Sequence, residues 1–268
     1  MPTTRRFVLA AAAALLAGAL ALPAVRPARA ADAEPPPAGW PGDSSAQNQL
    51  TDAEKAAGVK LLFDGKTLTG WNNFKKKDVK PGWQVKDGNL VCVNPKNAGD
   101  LCTAEAYADY ELTLDYNITK AGNSGIIFNV TEEGGAVWQT GPEFQLQDNA
   151  NAKDPQLCGW LYGLYKPETD AKTGKPQDAT KPFGEWNTVR LVVSKDKCEH
   201  YINGVKYFEY QIGSADFNKR VAESKFGKMP KFAKSDKGLI ALQGDHGSIA
   251  FRNIKLRPLS GGANAAAK

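Results

Sequence analysis

The sequence predicts an all-β domain, a sandwich or a barrel, on three observations. Short runs with period-two alternation or β-branched content recur along it: KLLFD, GWQVKDGNLVCV, YELTLDYNIT, SGIIFNV, EFQLQ, NTVRLVVSK, CEHYINGVKYFEY, GLIALQG and SIAFRNIKLRPL. Most of them are bounded by Gly, Asn, Asp or Pro, the residues that turn a chain. Helical periodicity is almost absent, and the length suits about one domain of this kind.

The chain opens with an export signal. Arg5 and Arg6 precede the apolar run FVLAAAAALLAGALAL, and Ala28-Arg29-Ala30 places small residues where a signal peptidase cuts. Residues 1–30 are therefore read as a signal peptide and Ala31 as the mature start. TRRFVL approximates a twin-arginine start, which exports a folded protein from a bacterial cytoplasm; a Sec signal with two basic residues is the alternative. No second apolar run is long enough to span a bilayer, so the expected location is the periplasm or the exterior, with no membrane attachment after cleavage. Residues 31–57 are rich in Pro, Ala and Ser and read as a linker ending in a short capped helix at TDAEKAAG. The strand-like runs fill residues 58–260, and the tail 261–268 is expected to be mobile.

Charge excludes one class of partner. The chain has 34 basic and 29 acidic residues, but Arg5, Arg6, Arg26 and Arg29 leave with the signal, and the remainder is nearly neutral. Nothing electrostatic argues for nucleic acid. The Lys-rich stretches from Phe74 to Asp78 and from Lys225 to Lys237 read as solvated surface. The four cysteines, Cys92, Cys102, Cys158 and Cys198, enter an oxidising compartment, where disulfides are the default. Cys92 and Cys102 flank the turn-rich VNPKNAGDL between two strand-like runs, so a cross-strand bridge is the preferred pairing. None of the spacings is CxxC, which makes zinc or redox chemistry the weaker reading.

Candidate chemistry gathers in two places. In GPEFQLQDN, strand alternation puts Glu143, Gln145 and Gln147 on one side and Phe144 and Leu146 on the other. Either water covers the polar side, or it is a carbohydrate site on the open face of a sheet. The long, turn-rich connection from Asn149 to Glu185 carries Trp160, Tyr162 and Tyr165, rings of the kind on which a sugar stacks. The second place is LIALQGDHGSIAFRNIKL, where Gln243, Asp245, His246 and Arg252 gather around a turn. His246 is either a turn-satisfying or a catalytic histidine, and Arg252 either pairs a buried acid or faces substrate. Asn123 and Ser124 either make a turn or meet a ligand.

The absences also count. No phosphate loop, HExxH, GxSxG elbow or dinucleotide fingerprint occurs, and with two histidines a His-rich metal centre is excluded. Retaining glycosidases need two carboxyl groups about 5 Å apart. Here the same-face neighbours of Glu143 are amides, and Asp148 has the opposite parity.

Taken in order, LLFDGKTLTGW, GNSGIIF, GPEFQLQDN, GEWNTVRL, HYINGV, SKFGKMPKF and LQGDHGSIAFRNIKL resemble the 3-keto-disaccharide hydrolase family, from about Val59 to Leu259. The resemblance implies a concanavalin A-like jelly-roll sandwich of two antiparallel sheets and action on 3-keto-glycosides. A ketone at carbon 3 acidifies the proton on carbon 2, so a base can form an enolate that expels the group on carbon 1. Carried over, Glu143 and His246 are the base and acid, with Asp245 as an alternative to His246. Arg252 or a bound divalent cation faces the enolate oxygen. Asn123, Gln145 and Gln243 orient the sugar; the strand face adds Gln147, and the long connection adds Trp160 and Tyr162 as stacking rings. One departure stands out: His246 follows Gln243 by three residues where the family pattern has two, so Asp245 occupies the expected position. Two other readings stay open, a carbohydrate-binding module without catalysis and a conventional glycosidase.

Overall fold

The computed structural model describes residues 47–259. Residues 1–30, read as a signal peptide, most of the segment read as linker and the residues after Leu259 lie outside the described residues. In chain order the strands are β1 (Lys60–Leu61), β2 (Trp71–Asn73), β3 (Trp83–Lys86), β4 (Asn89–Cys92), β5 (Leu101–Thr103), β6 (Tyr110–Ile118), β7 (Asn123–Val130), β8 (Glu143–Gln147), β9 (Asn187–Val193), β10 (Cys198–Ile202), β11 (Val205–Tyr210), β12 (Leu239–Leu242) and β13 (Ile249–Pro258). The helices are α1 (Asp52–Ala56) and α2 (Ala215–Glu223).

Two sheets result. The larger, of eight strands, runs β11-β10-β9-β6-β13-β4-β3 with β1 also on β13; the smaller, of five, runs β2-β5-β12-β7-β8. The strands pair antiparallel throughout. Together they form the jelly-roll sandwich that the sequence leads one to expect. Two hairpins close through Asp87-Gly88 and Asn203-Gly204, both residues of each pair at positive φ, as the tight two-residue turn demands. On β6, Tyr110, Leu112, Leu114, Tyr116 and Ile118 alternate inward to meet Ile126, Phe128, Phe144 and Leu146 of the smaller sheet.

The outward residues of β6 hold an ion-pair layer that includes one candidate. Glu111 meets Arg190 and Arg257, and Asp115 accepts from Arg252 Nε at 3.2 Å. The Arg252 guanidinium also lies 4.0 Å over the Trp186 ring. Phe251 points into the core, so its neighbour Arg252 must point to the outside of the larger sheet. Of the two readings open for Arg252, the structural one is what the fold shows.

The segment read as linker is tied into the sandwich at its end. Thr51 caps α1 and Glu54 reaches back to the Thr51 amide at 2.7 Å, a capping box. Glu54, 1 % exposed, also accepts from Lys255 Nζ at 2.7 and 3.0 Å.

The expected Cys92–Cys102 bridge is absent, and all four thiols are free and buried. The strands that flank VNPKNAGDL do not form a hairpin: β4 belongs to the larger sheet and β5 to the smaller. Cys92 instead donates to the Gly244 carbonyl at 3.1 Å, and Cys102 packs with Ile127, Val130, Val137 and Ala241.

Candidate active site

The register of the smaller sheet assembles a polar patch on its outer face. Glu143 pairs with Ile127, Gln145 with Gly125 and Gln147 with Asn123, while Ala241 pairs with Ile127 from the other side. These residues share the face opposite the core. At one end that face is apolar, with Ile127, Ala241, Cys102, Val130 and Val137 packed together. Glu143 borders that group opposite Ile127, and beyond it stand Gln145, Asn123 and, by alternation from Ala241, Gln243. The Gln243 backbone is fixed there, its amide on the Gly125 carbonyl at 2.9 Å and its carbonyl taking the Ser124 hydroxyl at 2.8 Å.

Gly125 makes room for the carboxylate. A Cβ at that position would stand 2.3 Å from Glu143 Oε1, so any larger residue would displace the acid. The Gln145 amide lies alongside: with its nitrogen turned to Glu143 it donates to Oε1 at 3.2 Å and to the Ser124 carbonyl at 3.3 Å. Its other end lies 3.4 Å from the Asn123 side-chain oxygen.

Water does not cover this strand, contrary to the simpler of the two expectations. Glu143 is 8 % exposed and Gln145 fully buried. The cover is the long connection, which runs along the free edge of β8: Gln145 N–H donates to the Trp160 carbonyl, Gly159 N–H to the Gln145 carbonyl and Tyr162 N–H to the Glu143 carbonyl. The other histidine secures this cover from below. His200 is fully buried, bonds the Gly159 carbonyl at 2.9 Å and Tyr210 at 3.1 Å, and stacks on Phe144 with ring centres 4.5 Å apart. Burial pushes its pKa down to about 3, so it is a neutral structural ring.

Glu143 makes no ion pair among the described residues. Burial raises its pKa to about 7; the charges of Lys225 and His246 oppose the rise, and those of Asp100 and Asp154 add to it. A carboxyl poised there exchanges its proton near neutrality. His246 lies in the turn between β12 and β13, exposed, with its Nδ1–H donating to the Asp245 carboxylate. That bond raises the histidine pKa, aided by the charges of Asp245, Glu143 and Asp100, and it lowers that of Asp245. Asp245 thus orients the ring and holds its proton. Gly244 is required at the turn because a Cβ would collide with the Gly99 carbonyl and the Trp83 ring.

Two contributors were not read from the sequence. Asp100, just ahead of β5, has its pKa raised to about 6 by burial and by Asp245, against the pull of His246, the Gly244 amide and Lys80. Lys225, from the stretch read as solvated surface, sits with Nζ 4.2 Å from the Tyr162 ring centre and 5.8 Å from that of Trp138. SKFGKMPKF carried the signal for Lys225, but chain-local pattern carried none for Asp100. Tyr162 is held by its hydroxyl on Asp154 at 2.9 Å. Trp160, only 9 % exposed, is too enclosed to stack a sugar ring, and Gln147 is buried with its amide on the Asp154 carbonyl. The structure thus unites Glu143, Gln145, Asn123, Gln243, Asp245, His246 and Tyr162, and it separates Arg252 from them. Among the described residues no three His, Cys, Asp or Glu side chains group as a metal centre.

Comparison with known proteins identifies the family. The family model described as a 3-keto-alpha-glucoside-1,2-lyase-like domain matches residues 58–257. A 3-keto-disaccharide hydrolase of Bacteroides thetaiotaomicron is 30 % identical over 232 residues, 76 % of this chain and 79 % of the relative. A provisionally assigned glycosyl hydrolase of Parabacteroides distasonis, known by crystal structure, superposes with a TM-score of 0.72 at 35 % identity over 80 % of this chain and all of that one. A second such protein of the same species gives 0.57 at 29 % identity, over 75 % of this chain and 99 % of the other.

Proposed function

Because the chain belongs to the 3-keto-alpha-glucoside-1,2-lyase-like family, we propose that it cleaves 3-keto-glycosides by elimination followed by hydration. Hydrolysis of carbohydrate is the ground that the relatives share. The observation that carries the finer reading is Glu143: a buried carboxyl without an ion pair among the described residues, its pKa about 7, under a Gln145 amide that fixes its direction. In this scheme the Glu143 carboxylate removes the proton from carbon 2, and the electron pair passes into an enolate at the carbon 3 oxygen. Collapse of the enolate forms the carbon 1–carbon 2 double bond and expels the carbon 1 oxygen, which takes the proton of His246. Water then adds at carbon 1, giving up a proton that restores His246, and a proton returns to carbon 2 from Glu143. Lys225 supplies the positive charge for the enolate, the part that Arg252 was expected to play. Asn123 and Gln243 orient the sugar, and a divalent cation remains an optional partner of the enolate oxygen. The export reading of residues 1–30 assigns this activity to the periplasm or the exterior.

One observation favours a second reading. Asp100, just ahead of β5, brings a carboxyl from elsewhere in the chain within the electrostatic reach of Glu143, and a pair of carboxyls is what a conventional glycosidase uses. Product analysis separates the two. The expected result is cleavage of a 3-keto-glucoside with the unoxidised glucoside untouched, together with deuterium uptake at carbon 2 in heavy water. Comparable turnover of both sugars without exchange would establish the glycosidase, and binding without turnover of either a carbohydrate-binding module.

A further inference from the structure

Among the described residues two large hydrophobic side chains are exposed, Trp138 and Phe183. Phe183 precedes Gly184, whose amide bonds the end of β6 in the larger sheet. Trp138 stands at the candidate site instead. It occupies the middle of a short 3-10 turn, Val137–Gln139. That turn is braced on every side: Val137 is fully buried, Gly135 N–H donates to Gln139 Oε1 at 2.6 Å, and the Ala233 amide bonds the Thr140 carbonyl at 2.8 Å. The Thr140 hydroxyl accepts from the Thr131 amide and donates to the Thr131 carbonyl, both at 3.1 Å. A firmly held turn therefore presents an indole that is 37 % exposed and that folding alone does not require.

Its position relative to Glu143 can be followed through contacts. The Tyr162 amide bonds the Glu143 carbonyl at 2.9 Å, Lys225 Nζ lies 4.2 Å from the Tyr162 ring centre, and the Trp138 ring centre is 5.8 Å from the same Nζ. Tyr162 is thus anchored beside Glu143 and feels its charge, and Lys225 lies against both the Tyr162 and the Trp138 rings. A sugar ring has one face of C–H bonds that lies well on a rigid aromatic plane, and its rim of hydroxyls suits the neighbouring ammonium.

We infer that Trp138 is the platform for the sugar that leaves, one unit along from the oxidised ring held against Glu143. This rests on the proposed cleavage of 3-keto-glycosides and names a determinant of which glycosides are taken. The test compares the mature parent chain, Trp138→Ala and Trp138→Phe on a 3-keto-disaccharide and on methyl 3-keto-glucoside, whose leaving group has no ring. Trp138→Ala should lose about tenfold in kcat/KM on the disaccharide, through KM, and stay within about twofold on the methyl glycoside, with Trp138→Phe recovering most of the loss. Equal loss on both substrates would assign the indole to the oxidised ring and overturn the inference, as would no loss on either. A parent chain that cleaves neither substrate overturns the proposed function itself, an outcome distinct from both.

Discussion

Glu54 and Glu143 are both shut away from water, and they differ in what faces them. Glu54 meets the Lys255 ammonium through both oxygens and the Thr51 amide as well. Glu111, on the outer face of the larger sheet, is met by two arginines. Glu143 has an amide for its nearest partner and Lys225 only as a charge in its surroundings. Where a cation is matched to a buried carboxylate the pair belongs to the architecture. Where it is withheld, the proton becomes exchangeable near neutral pH. Burial alone does not mark a functional acid; burial without a counter-ion does.

Substitution at each side of this contrast should give opposite results. Glu143→Gln should lower turnover of the 3-keto-glycoside about 10²–10⁴-fold, the usual worth of a general base, as initial rates will show. Its stability should move the other way. The raised pKa of Glu143 means that the folded state prefers the protonated acid, so the associated stability is present at low pH and is lost as pH rises through about 7. The Gln variant has nothing to lose there. It should match the parent near pH 4 and exceed it at pH 8 by on the order of 2 kcal/mol in chemical denaturation. A Gln variant that is less stable at pH 8 would give Glu143 an architectural role.

Lys255→Met is the converse case. It leaves Glu54 buried without its cation and should cost about 3–5 kcal/mol of stability, with turnover per folded molecule unchanged. The double variant Glu54→Gln with Lys255→Met should recover most of that loss. The smallest effects are shifts in the pH profile. Lys225 holds the Glu143 pKa down, so Lys225→Met should move the acid limb of kcat/KM to higher pH. The bond to Asp245 holds the His246 pKa up, so Asp245→Asn should move the alkaline limb to lower pH. Limbs that stay in place in both variants would detach these residues from proton transfer.

The contrast also explains how far the sequence could be read. Alternation in EFQLQ places Glu143 and Gln145 on a common face, and the turn-forming residues around His246 locate the opposing group. Neither needs knowledge of which strand lies beside which. Arg252 does: it lies six residues beyond His246, yet on β13 the chain has crossed to the other sheet. Cys92 and Cys102 mislead for the same reason, since consecutive strands go to opposite sheets. Asp100 and Lys225 reach the site only through tertiary placement, one just ahead of β5 and one just after α2. The burial of β8 was hidden in the same way, because the residues that cover it come from the long connection.

That cover has a consequence for self-association. A strand at the border of a sheet offers unpaired backbone groups on which another copy can build, and β8 forms such a border. Here Gly159, Trp160 and Tyr162 already hold the outward-facing groups of Glu143 and Gln145. The opposite border, β2, has three residues and leads into Lys75, Lys76 and Lys77, whose charges repel a second copy. Neither border of the smaller sheet can serve as a template for a neighbouring molecule, so the strand that bears the acid is withheld from edge-to-edge assembly even in a concentrated compartment.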